Sequence, residues 1–174
     1  LDLGTHNCRL LIARPTRDGF RVVDAFSRIV RLGEGVSQSG RLSRDAQDRT
    51  IDALAVCAEK LRRQGVGRVR GVATEACRLA SNGAEFLQRI HRRTGIAFDL
   101  IDSEEEARLA IGGCVPLLDP ACERAIIFDI GGGSTQIIWL DNQDGKARLT
   151  DSISIPFGVV TLGERVGTRA LTRE

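Results

Sequence analysis

An aspartate, one apolar residue and a glycine occur twice in this sequence in the same setting. Leu1-Asp2-Leu3-Gly4-Thr5-His6-Asn7-Cys8-Arg9-Leu10 is echoed by Phe128-Asp129-Ile130-Gly131-Gly132-Gly133-Ser134-Thr135-Gln136-Ile137. In both, an apolar strand end leads into a short turn of glycine and small polar residues, and a second apolar strand follows. Glycine admits positive φ and close approach, so such a turn can present backbone amides to an anion. An aspartate at the strand end can hold a cation, directly or through water. Two such hairpins facing each other across a cleft would grip a phosphate chain and its metal.

The elements that must position these turns follow from hydrophobic spacing. After the first hairpin, Phe20 to Leu32 alternates loosely and reads as a third strand, with a loop from Gly33 to Gly40. Ser43 caps a helix whose Leu54, Cys57, Ala58 and Leu61 share one face, closed by Gly65. A strand over 66–74 and a short helical stretch follow. Asn82, with Glu85 three residues on, has the spacing of a capping box for a helix that buries Phe86, Leu87 and Ile90 and ends at Gly95. A strand over 96–101 leads to a helix opened by Ser103, where Ser103 and Glu106 have the same capping-box spacing. From Ala125 the series restarts with a strand, the Gly-rich turn, a strand to Leu140, a turn over 142–145, a strand over 148–155 and a helix from Thr161.

This pattern predicts two α/β lobes, 1–118 and 119–174, hinged over 114–123 around Pro116 and Pro120. The second series stops early, so the chain is expected to end inside its second lobe and to lack one wall of the cleft. It also starts at Leu1, inside the first strand and without Met, so the native N-terminus is expected upstream.

Composition narrows the partners. A 42% hydrophobic content over 174 residues is ample for a core. No run approaches the ~20 apolar residues of a membrane helix, so no membrane partner is expected. A net charge of +2 does not call for nucleic acid, and six Phe with one Trp give no stacking platform for single strands. Only Lys60 and Lys146 are lysines and the rest of the Lys/Arg set is arginine, a bias that a GC-rich genome mostly explains, with phosphate binding by the planar fork of some arginines as the lesser reading. The five cysteines (Cys8, Cys57, Cys77, Cys114, Cys122) are odd in number and show no Cys-x-x-Cys spacing. They read as reduced thiols, mostly in the core of a cytoplasmic protein.

Lobes that each open with an Asp-x-Gly hairpin and three strands resemble the actin-like ATPase and sugar-kinase superfamily. Four ordered motifs narrow the resemblance: Val30-Arg31-Leu32-Gly33-Glu34-Gly35, Ala73-Thr74-Glu75-Ala76-Cys77-Arg78 with Ser81-Asn82, Ser103-Glu104-Glu105-Glu106-Ala107-Arg108, and Phe128-Asp129-Ile130-Gly131-Gly132-Gly133-Ser134-Thr135. Together they are similar to the exopolyphosphatase / guanosine pentaphosphate phosphohydrolase family over essentially the whole chain. The resemblance implies ribonuclease H-like lobes with a mixed five-stranded sheet and helices, the second lobe incomplete. It implies a bacterial, Mg²⁺-dependent hydrolase of the stringent response that releases orthophosphate from polyphosphate or the 5′-phosphate from pppGpp, with polyphosphate or guanosine penta/tetraphosphate (pppGpp, ppGpp) as partner and a homodimer in the full-length protein.

Residue roles carry over from the same resemblance. Glu106 matches the family's catalytic base, Asp129 the aspartate that orients metal or water, and Arg78 an arginine that meets phosphate. Gly4, Thr5, His6, Thr74 and Gly131, Gly132, Gly133, Ser134 and Thr135 match phosphate-binding positions; Asp2, Asp129 and Gln136 match metal positions. Read from the residues alone, Ser103 and Glu106 are also explained as a helix cap, and Asp2 as a turn residue. Two positions depart from the pattern: His6 stands where Asn is usual, and Gln136 stands where Glu is usual. Gln136 keeps the shape and loses the charge, which weakens a Mg²⁺ site. Two further functions therefore stay open at this point: a non-catalytic protein that binds (p)ppGpp or polyphosphate, and an ATP-using kinase or ATPase of the same superfamily.

Overall fold

The β1–β2 hairpin, Asp2–Leu3 and Asn7–Thr16, forms around the first Asp-x-Gly turn, and β3, Gly19–Ile29, pairs antiparallel with β2. The computed structural model describes residues 1–17, 19–119, 121–143 and 146–167. Pro120 of the expected hinge and the Asp144-Gly145 tip of the expected 142–145 turn lie outside the described residues.

The chain continues through α1 (Val36–Ser39), α2 (Arg44–Arg63), β4 (Val72–Ala73), α3 (Glu75–Leu79), α4 (Gly83–Thr94) and β5 (Asp99–Leu100). These strands form one mixed sheet in the order β3-β2-β1-β4-β5, with β1, β4 and β5 mutually parallel. Cys8, Leu10 and Ile12 alternate on the buried face of β2 and join Leu54 and Cys57 of α2 with Phe86 and Ile90 of α4 in one core. Each fully buried Leu, Ile or Phe here contributes about 1.5–3 kcal/mol, so this cluster is the principal support of the sheet.

The parallel strands are shorter than the expected 66–74 and 96–101. Register pairs Asp2 with Val72 and Leu3 with Ala73, where β1 ends as the chain turns at Gly4, and β4 in turn pairs only Val72 with Asp99 and Ala73 with Leu100. The Asn82 capping box does not form. Asn82 instead spans to a distant loop, its Oδ1 accepting from Leu42 N at 2.8 Å and its Nδ2 donating to Leu42 O at 3.0 Å.

The remaining elements are α5 (Ser103–Cys114), a 3₁₀ turn at Val115–Leu117, β6 (Arg124–Ile130), β7 (Thr135–Gln143), β8 (Lys146–Ile155) and α6 (Val159–Val166). β6, β7 and β8 form an antiparallel sheet in that order. Ala107 and Ile111 of α5 pack on Ile138 and Leu140 of β7. The opposite face carries Ile126, Phe128, Ile130 and Ile153 exposed. α6 begins two residues earlier than the Thr161 start expected from the sequence. Contacts divide the chain into two compact units, Leu1–Ile101 and Asp102–Glu174. No helix among the described residues is long and apolar enough to cross a membrane.

Candidate functional site

The two Asp-x-Gly turns close with the same hydrogen bond. Gly4 N donates to Asn7 O at 3.0 Å, and Gly131 N donates to Ser134 O at 2.9 Å. In the first unit, Thr5 O accepts from Gly33 N at 2.9 Å and His6 O accepts from Val30 N and Arg31 N at 2.9 and 3.0 Å. In the second, Gly131 O accepts from Val159 N at 3.0 Å, Gly132 O from Val160 N at 2.8 Å, and Gly133 O from Thr161 Oγ1 at 3.1 Å.

All these peptides are trans, so each N–H points away from the carbonyl of its own peptide plane. The carbonyls of Gly131, Gly132 and Gly133 face 159–161, which turns the amides of Gly132, Gly133 and Ser134 to the other side. The carbonyls of Thr5 and His6 face 30–33, which turns the amides of His6 and Asn7 likewise. Among the described residues, nothing accepts from the amides of His6, Gly132, Gly133 or Ser134. A run of unspent amides on one side of a turn is an anion-binding concavity.

Beside the second turn, Asp129 pairs with Gln136, and Gln136 with Ser154, directly across the strands, so the three share one sheet face. Gln136 is 3% exposed, and neither its Oε1 nor its Nε2 has a hydrogen-bond partner among the described residues. A buried amide left unsatisfied costs about 1–3 kcal/mol, which sets this position apart from packing. Gln136 also lines a cavity of about 470 Å³ with Ser103 and Glu104 of α5 and with residues 149–154.

α5 lies on this same face. Residues at i, i+3, i+4, i+7 and i+8 of one helix form a single stripe, here Ser103, Glu106, Ala107, Ala110 and Ile111, and Ala107 and Ile111 are buried on the sheet. Glu106 thus sits one turn into the helix, on its sheet-facing stripe. The cap of α5 is Asp102 and not Ser103: Asp102 Oδ1 accepts from Glu105 N at 2.8 Å, and Asp102 O from Glu106 N at 3.1 Å. Ser103 therefore does not hold the cap position that the capping-box spacing gave it.

In the first unit, Thr74 is buried, follows β4 alongside Gly4, and donates its N–H to Leu3 O at 3.2 Å. Its own carbonyl accepts from Cys77 N and Arg78 N and so opens α3. Arg78 Nη1 donates to Ile101 O at 2.7 Å, which fixes one edge of the guanidinium. His6 is half-buried, with Nδ1 enclosed and without a hydrogen-bond partner among the described residues, and Asp2 is half-buried in β1. Glu34 forms an ion pair with Arg49 at 2.9 Å.

The structure therefore brings Asp129, Gly131 to Thr135, Gln136 and Glu106 to one unit, and Asp2, Gly4, Thr5, His6, Thr74 and Arg78 to the other. Sequence reasoning missed Glu75, which is 7% exposed beside Thr74, its Oε2 without a hydrogen-bond partner among the described residues. A charged residue inside the Ala-Thr-Glu-Ala-Cys run was its one signal. It also missed Gly33, Gly158 and Thr161, which lie behind the turns. The donor set fits a hard cation: Mg²⁺ takes one or two carboxylates and keeps waters, and Asp129 with the unpaired Oε1 of Gln136 supplies oxygen of that kind.

Comparison with known proteins adds two findings. The profile of the Ppx/GppA phosphatase family matches residues 11–172. Among solved structures, an exopolyphosphatase from Cytophaga hutchinsonii ATCC 33406 is 28% identical with a TM-score of 0.90, over 99% of this chain and 54% of that one. An Aquifex aeolicus member of the Ppx/GppA family is 33% identical with a TM-score of 0.77, over 97% of this chain and 53% of that one. The chain spans about half the length of these structures.

Proposed function

The chain belongs to the Ppx/GppA phosphatase family, and on that premise we propose that the full-length protein is a phosphoanhydride hydrolase releasing terminal orthophosphate from inorganic polyphosphate. The observation that carries this reading is the pair of turns whose carbonyls are bonded from behind and whose amides are left for an anion. A phosphate chain spreads its charge over many oxygens, which suits repeated backbone donors better than a single charged side chain.

In this mechanism Glu106 accepts a proton from the attacking water, which requires a carboxylate within hydrogen-bond reach of that water. Asp129 orients the water, and Arg78, whose guanidinium is held by Ile101 O, meets the phosphoryl oxygens with its positive charge as charge develops there. Gly4, Thr5, His6, Thr74 and the segment Gly131 to Thr135, the last through the amides of Gly132, Gly133 and Ser134, bind the phosphates. Asp2, Asp129 and Gln136 are the residues that would hold Mg²⁺. When bound, the ion would withdraw charge from the phosphoryl oxygens. The water attacks phosphorus directly, without a covalent enzyme intermediate.

The finer parts belong to the same proposal. These are action on pppGpp as well as polyphosphate, a place in the bacterial stringent response, a cytoplasmic location, a homodimer, and a lobe boundary at 118/119. Gln136, which carries no charge where the family usually has Glu, favours a second reading: a protein that binds polyphosphate or (p)ppGpp without turnover.

The deciding experiment is orthophosphate release from long-chain polyphosphate with Mg²⁺ by the full-length protein and its Glu106→Gln variant. A loss on the order of 10²-fold or more in the variant is expected for a general base. A parent that binds polyphosphate but releases nothing would move the assignment to the binding protein.

A further inference from the structure

Each candidate phosphate turn is backed by a segment far along the chain, and a glycine of each backing segment lies against the turn, Gly33 on the Thr5 side chain and Gly158 on the backbone of Gly131 and Gly132. In the first unit, Gly33 donates to Thr5 O, and a Cβ built on Gly33 would collide with Thr5 Cγ2. In the second, a Cβ on Gly158 would lie 2.5 Å from Gly131 O and 2.6 Å from Gly132 O, inside van der Waals contact. Gly33 and Gly158 have φ values accessible to any residue. It is the space, not the backbone conformation, that excludes a side chain.

The second backing also carries one side chain. Thr161 Oγ1 accepts from Gly158 N at 2.8 Å, which leaves its proton for Gly133 O at 3.1 Å or Gly158 O at 3.2 Å. Thr135 Oγ1 donates to Phe157 O at 2.7 Å from the other end of the turn. The amides of Val159 and Val160 at the start of α6 are spent on the carbonyls of Gly131 and Gly132. The helix terminus therefore serves as a brace for the turn and not as an anion site of its own.

We infer that Gly33, Gly158 and Thr161 are positioning residues: they hold the carbonyls of the two turns so that the opposite amides stay aimed at phosphate. A three-glycine turn is the most flexible segment a chain can contain, and its amides would otherwise pay ordering entropy on every binding event. Donors fixed in advance bind more tightly and stabilise developing charge without reorganisation. This inference rests on the assignment of the turns to phosphate.

The test uses the full-length protein with Thr161→Val, Thr161→Ser, Gly33→Ala and Gly163→Ala. Two quantities are read: affinity for inorganic orthophosphate by ³¹P NMR titration, and kcat and KM for long-chain polyphosphate. Thr161→Val keeps the side-chain shape and removes the hydroxyl, so about a tenfold loss of orthophosphate affinity and of kcat/KM is expected, the scale of one hydrogen bond. Thr161→Ser restores both to within about threefold of the parent. Gly33→Ala, in the other unit, loses affinity too. Gly163→Ala lies in α6, where a Cβ meets nothing, and matches the parent. Melting temperatures of the Thr161 variants agree within about 5 °C, so a difference between them reports aim and not folding.

A Thr161→Val protein that binds and turns over like the parent overturns the inference, and so does a Ser variant no better than Val. If the parent itself binds no orthophosphate and no polyphosphate, the phosphate assignment falls, and this inference with it. The first two results leave that assignment standing, so the two failures are distinguishable.

Discussion

Gln136 sits beside Asp129, 3% exposed, and neither end of its amide has a hydrogen-bond partner among the described residues. Changing it to Glu restores a second carboxylate next to the first. Without metal, that charge is buried beside another of the same sign, so Gln136→Glu is expected to melt below the parent in EDTA. With Mg²⁺ the pair is neutralised, and stability recovers through binding to the folded state alone. The expected outcome is a larger Mg²⁺-induced rise in Tm for the variant than for the parent, together with a lower Mg²⁺ requirement for orthophosphate release. Equal rises would show that Gln136 faces no cation.

At the scale of the element, α5 carries Glu106, and Asp102 sets where α5 begins. Its carboxylate caps the Glu105 amide at 2.8 Å and complements the positive end of the helix dipole. Asp102→Ala is expected to cost about 1 kcal/mol by chemical denaturation, whereas Asp102→Asn, which keeps the capping oxygen, stays within a few tenths. Activity should fall further in the Ala variant than stability alone explains, because fraying of the first turn moves Glu106. The same local ambiguity misled the reading at Asn82. Spacing proposed a cap there, but two hydrogen bonds to Leu42, 40 residues away, claim its side chain.

Over the whole molecule, the thiols report the packing of the first unit. Cys8, Cys57 and Cys77 are buried in its core, Cys114 is half-buried and Cys122 is exposed. Burial pushes the Cys77 thiol up to about 12, so at pH 8 only about one molecule in ten thousand carries its reactive thiolate. Iodoacetamide at pH 8 should modify Cys122 in the native protein and leave Cys8, Cys57 and Cys77 untouched until denaturant is added. Peptide mass mapping reads the difference. Early modification of Cys77 would contradict the packing around Phe86 and Ile90 described above.

Much of this protein was legible from residue order because the signals are local. The alternation of Cys8, Leu10 and Ile12, the helical face of Leu54 and Cys57, and the repeated Asp-x-Gly turn each depend on neighbours a few positions apart. Those features determined the α/β class, the two hairpins and the candidate amides. Tertiary structure alone decided what holds those amides in place. The partners that aim the turns are Gly33 behind Thr5, and Gly158 and Thr161 behind Gly131 to Gly133, the last contact spanning 28 residues. Tertiary structure likewise decided that β4 and β5 pair over only two residues, and that Asn82, whose carbonyl opens α4, gives its side chain to a loop. Periodicity records which face of an element is apolar. It carries no record of which distant backbone will arrive to accept or donate a hydrogen bond, because that is fixed by how the elements pack.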